Sequence, residues 1–172
     1  MDIVEKLIIV AIITVLPFIE LRGSIPYGIF DTREIVIPFV GITIEAGPAL
    51  DPLVVFPVAV ALNIAIIPAL MKFLDWFFHI IERISIARYF IERTHKKAHP
   101  YIDKYGYIGL MLFVAVPLPG SGAYTGALAA HVFGMNNRKA MVYISLGVII
   151  AGVVVTLGVT ALRGVYGFLF GV

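Results

Sequence analysis

Apolar positions in this chain come in long runs and do not alternate with polar ones. Ala140 to Leu162 is 23 residues without a charge and Leu53 to Met71 is 19. Tyr105 to Asn137 is 33, with His131 its only titratable side chain apart from the tyrosines. A helix needs roughly 20 such residues to cross a bilayer, so the pattern predicts an integral membrane protein. Two windows, 53–77 and 140–162, read as full spans. The other apolar stretches are interrupted. Leu7 to Ile19 is 13 residues, about 20 Å as a helix and too short to cross. It meets Pro17 and then Glu-Leu-Arg-Gly-Ser-Ile-Pro. Ile35 to Ile44 is shorter still. Residues 105–116 stop before Pro117, and 122–133 follow Pro119-Gly120-Ser121-Gly122.

Half-length apolar segments joined by proline and glycine are what a re-entrant hairpin requires, since irregular backbone survives at membrane depth only inside protein or beside a watery cavity. The competing pattern for 105–133 is one long helix kinked by proline, but two prolines and Gly-Ser-Gly in six residues are many breakers for a kink. The order becomes hairpin (about 3–47), span, polar segment (79–104), hairpin (105–133), span. The expected fold is therefore all-α: a single membrane domain of two inverted hairpin-plus-span repeats with facing re-entrant hairpins. Repeat 1 covers about 1–78, an amphipathic helix 79–104, and repeat 2 about 105–172. Interrupted segments at matching places in two halves are a sequence pointer to a transporter site.

Composition supports the membrane assignment. Hydrophobic residues are 60% and charged residues 14%, where a soluble domain has about a quarter charged. With no cysteine, disulfides and thiolate metal sites are excluded. The net charge of +2 is too small to imply nucleic acid. Asp2, Glu5 and Lys6 give the N-terminus a negative balance unlike a signal peptide, so Leu7 to Ile19 is expected in the mature protein. Arg83, Arg88, Arg93, Lys96, Lys97 and Lys104 in 79–104, and Arg138 with Lys139 in 134–139, place both segments on the cytoplasmic side of a multi-pass cell-membrane protein. Ile80, Ile84, Ala87 and Ile91 share a helical face, and Arg88, Glu92 and Lys96 form a charge ladder. The segment reads as an interfacial helix. His95, His99 and Asp103 fall at i, i+4, i+8 but have no further ligand near in sequence, so no metal is expected.

Glu20 and Arg22 are the most informative pair. On extended backbone i and i+2 project to one side, and on a helix they point apart; the break at Pro17 favours the extended case. Charges at membrane depth are costly, tend to pair and are functional by default; the alternative is an interfacial ion pair. Ser24 or Ile25 before Pro26 resembles a helix start, with Gly23 at the turn. In the second tip Pro117, Pro119, Gly120, Ser121 and Gly122 precede Tyr124 and Thr125, again like a helix start. Two such N-termini facing one another would favour an anion, with Arg22 beside them. Burial disfavours the charged form of a carboxylate, which makes Glu20 the expected proton-linked group. The second tip also fits close packing, through Ser121, Thr125 and Ala129 or Gly122 and Gly126. Asn63, between Pro57 and Pro68, either caps backbone groups that the prolines release or faces the cavity. Gly147, Gly152 and Gly158 predict close helix contacts on the last span.

ELRGSIPYG near the start and PLPGSGAYTGALAA in the second half resemble the paired signatures of the small multidrug export protein family. That family is similar to the DedA/VTT membrane proteins, whose two re-entrant hairpins face each other and which are associated with polyprenyl-phosphate recycling and proton-coupled transport. The resemblance covers nearly the whole chain and implies Glu20, Arg22 and the Gly/Pro loop as site residues. DedA-type second motifs carry arginines beside the proline, whereas 114–126 here has none. The expected function is a proton- or ion-coupled transporter of a small amphipathic or anionic substrate. The alternatives are a lipid-phosphate flippase on the same architecture or a structural membrane protein. An enzyme is not expected: Ser121 has no neighbouring base in sequence. Membrane lipids and a small-molecule or lipid substrate are the expected partners, with no cofactor. Two full spans shield little, which predicts a homodimer.

Overall fold

The computed structural model describes residues 2–17, 19–30, 35–37, 42–44, 49–81, 85–118 and 120–170. Among them are helices α1 (Ile3–Val15), α2 (Glu20–Ile29), α3 (Pro52–Ile81), α4 (Ser85–Ala115), α5 (Ala123–Val132) and α6 (Asn137–Phe170), with strands β1 (Ile35–Ile37) and β2 (Ile42–Ile44). The chain divides into two compact units, Met1–Leu62 with Gly152–Val172, and Asn63–Ala151.

In the first unit, α1 opens where the Asp2 N–H donates to the Glu5 carboxylate at 2.9 Å, one half of a capping box. It closes at Val15, because Leu16 precedes Pro17 and takes extended backbone with ψ 129°. Helix α2 then packs against α1. The two hydroxyls of Thr14 and Ser24 hydrogen-bond across them at 2.7 Å. At Gly28 an added Cβ would lie 3.2 Å from Val10 and 2.8 Å from Val55, so three helices meet where there is no side chain. Gly152 plays the same part for α6 against Val60, at 2.7 Å.

Two expectations are corrected here. The helix after the first break begins at Glu20, not at Ser24 or Ile25, and Pro26 lies inside it. The second leg of the first hairpin is thus α2, and the Ile35–Ile44 piece is a different element. It forms an antiparallel ribbon pairing Ile35 with Ile44, Val36 with Thr43 and Ile37 with Ile42. Five of those six residues are Ile or Val and the sixth is Thr, all β-branched and suited to strands. The otherwise helical fold therefore carries one short ribbon that an all-α reading leaves out.

In the second unit, α4 is broken at Gly106, where φ is 55° and ψ −124°. Beyond the break Gly109 lies directly against the Tyr101 backbone. Residues eight apart on an unbroken helix would be about 12 Å apart, so the polar piece of α4 folds back on its apolar continuation. The charge ladder is not on a separate element, although the side chains of Ile80, Ile84, Ala87 and Arg88 lie outside the described residues. After Ala115 the chain leaves the helix, and α5 returns along α4. A Cβ on Gly126 would meet Val114 at 2.6 Å, and one on Gly147 would meet the Met111 carbonyl at 2.7 Å. Residues 105–133 are thus two packed helical segments joined by an irregular tip. Gly158, by contrast, has nothing within 4 Å and marks no crossing among the described residues.

Among the described residues two helices are long and apolar enough to cross a membrane: 25 residues over Pro52–Trp76 and 29 over Asn137–Val165. Only 28% and 33% of their apolar windows are buried inside the protein. The core helix of a soluble protein would be mostly covered. Leu53, Leu157 and Leu162 are among the large apolar side chains left exposed, as a lipid solvent permits.

Candidate functional site

The first tip is built around Glu20. Its carboxylate accepts a hydrogen bond from Arg22 Nη1 at 3.0 Å, with only 4% and 14% of the two side chains exposed. The pair forms as expected, but on a different backbone. Glu20 and Arg22 both belong to α2, and regular helical geometry would point them apart. Glu20 itself has φ +50°, alone among the described non-glycine residues, so the helix enters through a left-handed residue. A bulky side chain in that region costs on the order of 1–2 kcal/mol. The acid is therefore buried, ion-paired and strained at one position.

The rest of the tip supports that entry. A Cβ at Gly23 would collide with the Ile19 side chain, so only glycine fits under the junction. Ser24 is fully buried and held by Thr14. Pro26 has no N–H to offer the Arg22 carbonyl one turn back, which places an interrupted helical ladder beside the ion pair. Tyr27 is buried and its hydroxyl has no hydrogen-bond partner among the described residues. Lys6 went unrecognised in the sequence. It is 0% exposed, its Nζ donates to the Phe30 carbonyl at 3.2 Å, and it lies 5.6 Å from the Tyr27 ring centroid. It thereby serves the C-terminal end of α2, where a cation is favoured. A contact across 24 residues leaves no local trace.

The second tip belongs to the other unit. Ser121 Oγ lies 2.6 Å from the Val116 carbonyl and 2.8 Å from that of Leu118, and Thr125 donates to the Gly122 carbonyl at 3.2 Å. These hydroxyls shape the turn. Pro117 is exposed and Tyr124 half-buried; Pro119 lies outside the described residues. Gly120 has φ +78°, natural for glycine alone. Gly122 is the residue before α5 and offers no side-chain cap, so a helix does begin at this tip. The tip has no basic residue of its own, but Lys97 comes to it from α4. Its Nζ lies 3.5 Å from where a Cβ on Gly120 would sit.

Asn63, in the same unit, is 1% exposed and neither atom of its amide makes a hydrogen bond among the described residues. It does not cap the backbone near Pro57 or Pro68. A buried amide left unsatisfied costs about 1–3 kcal/mol, and among the described residues no hydrogen bond offsets that cost for Asn63. His99 pairs with Asp103 at 3.1 Å while His95 stacks on Phe133 at 4.7 Å. Among the described residues no three His, Asp or Glu gather as a metal would need. A cluster unforeseen in the sequence joins α3, α5 and α6: Asp75 lies 3.3 Å from His131 Nδ1 and accepts from Asn137 Nδ2 at 2.6 Å.

Exposed apolar helices of membrane length, together with a buried ion pair at a helix junction, define a helical membrane protein. Residues 20–154 match the family described as "Putative small multi-drug export protein", and the chain belongs to that family. The match begins at Glu20 and takes in both tips. Comparison with curated proteins and with solved structures finds no match.

Proposed function

We propose that this protein is a proton- or ion-coupled transporter, moving a small amphipathic or anionic substrate through a site between two re-entrant hairpins. The buried Glu20–Arg22 pair carries the reading. A buried ion pair adds little net stability relative to apolar packing, and here it sits on strained backbone, as functional residues often do. Partner exchange accounts for both features. A proton reaching Glu20 releases Arg22 to an anion, and loss of the proton restores the pair. The export family supports transport as the activity. The unsatisfied Asn63 amide and the α5 start after Gly122 supply further polar groups for a substrate. Inverted repeats, similarity to DedA proteins, a homodimer and cytoplasmic placement of 79–104 and 134–139 belong to the same proposal. A lipid-phosphate flippase is the second reading, favoured by Lys97 beside the second tip.

Vesicles reconstituted with the protein, given a labelled polyprenyl phosphate and a cationic dye in parallel, test it. For an anionic substrate, Arg22→Ala weakens uptake at least about tenfold, and Glu20→Gln removes its dependence on pH. For a cation the order reverses, with Glu20→Gln abolishing uptake. If neither variant affects either substrate, the pair is an interfacial ion pair and the reading fails.

A further inference from the structure

In the second unit one carboxylate holds parts of three helices together. Helix α5 ends at Val132 and α6 begins at Asn137. The turn between them passes through Gly134 at φ +62°, which suits glycine, and the Met135 N–H closes it on the Ala130 carbonyl at 2.9 Å. Asn136 Oδ1 accepts from the Arg138 and Lys139 N–H groups at 3.1 and 3.3 Å and so caps the start of α6. Asp75 of α3 reaches both sides of this turn. One of its oxygens lies 3.3 Å from His131 Nδ1 in the last turn of α5, and the other accepts from Asn137 Nδ2 at 2.6 Å. The Phe78 ring, one turn further along α3, has its centroid 4.4 Å from that of the imidazole.

We propose that Asp75, His131 and Asn137 form a pH-sensitive latch, which grips the C-terminal end of α5 at acid pH and loosens as the pH rises. The Asn137 amide does not titrate, whereas an imidazole changes charge between about pH 5 and 8. Acidification over that range adds a Coulombic attraction to a hydrogen bond already in place. The added charge also falls in the last turn of α5, where the helix dipole attracts a cation. His131 is 20% exposed and Asp75 48%, so protons reach the pair from solvent. Among the described residues Asp75 is the one carboxylate within ion-pair distance of His131. Other titratable and charged groups stand further off. Helix α4 brings His95 and His99, whose rings lie 4.7 and 6.2 Å from that of Phe133, and His99 is paired with Asp103. Lys72 on α3 and Arg138 and Lys139 on α6 are exposed. Because α5 starts at the second tip, after Gly122, the latch governs how firmly that segment is held at its far end. The inference goes beyond the transporter reading, and its readout needs no substrate.

The test measures amide hydrogen exchange in the full chain, held in phosphatidylcholine nanodiscs at about pH 5.5 and about pH 7.5. Rates are corrected for the chemical pH dependence of amide exchange. Amides of 123–132 should open about threefold or more less often at the acid pH. His131→Gln and Asp75→Asn should each abolish that difference, since one removes the titrating group and the other its partner. His131→Lys, a fixed cation, should give the acid-level protection at both pH values. His95→Gln and His99→Gln, which leave the pair intact, should keep the difference. Asp75→Asn retains the imidazole and stands as the independent check should His131→Gln unfold the protein, which a helical melt would reveal. The proposal is overturned if the native chain shows no pH difference over 123–132, if the difference survives Asp75→Asn, or if His95→Gln or His99→Gln removes it. Failure of either reconstituted-transport variant would leave this result untouched, so the latch and the transporter reading stand or fall separately.

Discussion

Glu20 combines burial, charge pairing and a left-handed backbone, and substitution can separate these. Removing one member of a buried pair leaves an uncompensated charge and costs about 3–5 kcal/mol. Arg22→Ala and Glu20→Gln should each lower the unfolding temperature measured by helical circular dichroism in detergent. The double variant should be destabilised by less than the sum of the two, because the partners act as a unit. Strict additivity would mean that the two residues do not depend on each other. The sequence revealed that these two charges belong together, since charges near membrane depth are rare and tend to pair. It did not reveal how. The rule that i and i+2 diverge on a helix assumes regular dihedrals, and one residue at φ +50° defeats it. Lys6 and Lys97 were illegible for a different reason: each acts on a residue more than twenty positions away, and no local pattern encodes that.

At the scale of elements, glycine spacing separates contact from coincidence. Gly126 faces Val114 and Ile144, whereas Gly158 faces nothing within 4 Å. Gly126→Val should therefore overpack the α4–α5 contact and cost about 1–3 kcal/mol. Gly158→Ala should be neutral or stabilising by roughly 0.5–1 kcal/mol, as alanine is the better helix former. Melting curves of the two variants check this, and equal destabilisation would contradict the packing described. Spans and breaks were legible because hydropathy and proline act locally: windows 53–77 and 140–162 became α3 and α6, and Pro117 to Gly122 became a tip. The ribbon was missed because short apolar runs look alike as helix or strand. Pro26 misled because it suits a first turn, yet here it lies well inside α2.

At the scale of the whole molecule, the proposed transport route takes a contribution from each tip. The first tip brings a buried ion pair and the second a helix start with Lys97 beside it. The chain has no cysteine, so pairs can be introduced cleanly. Ile19 and Leu118 are exposed residues of the two tips, and cysteines there should be joined in native membranes by a short bifunctional maleimide. Cysteines at 75 and 137, whose native side chains are accessible and hydrogen-bonded at 2.6 Å between α3 and α6, provide the positive control. The account predicts efficient cross-linking of 19 to 118 within one chain, reduced when substrate occupies the site. Cross-linking of the control pair with none between 19 and 118 would contradict a shared site.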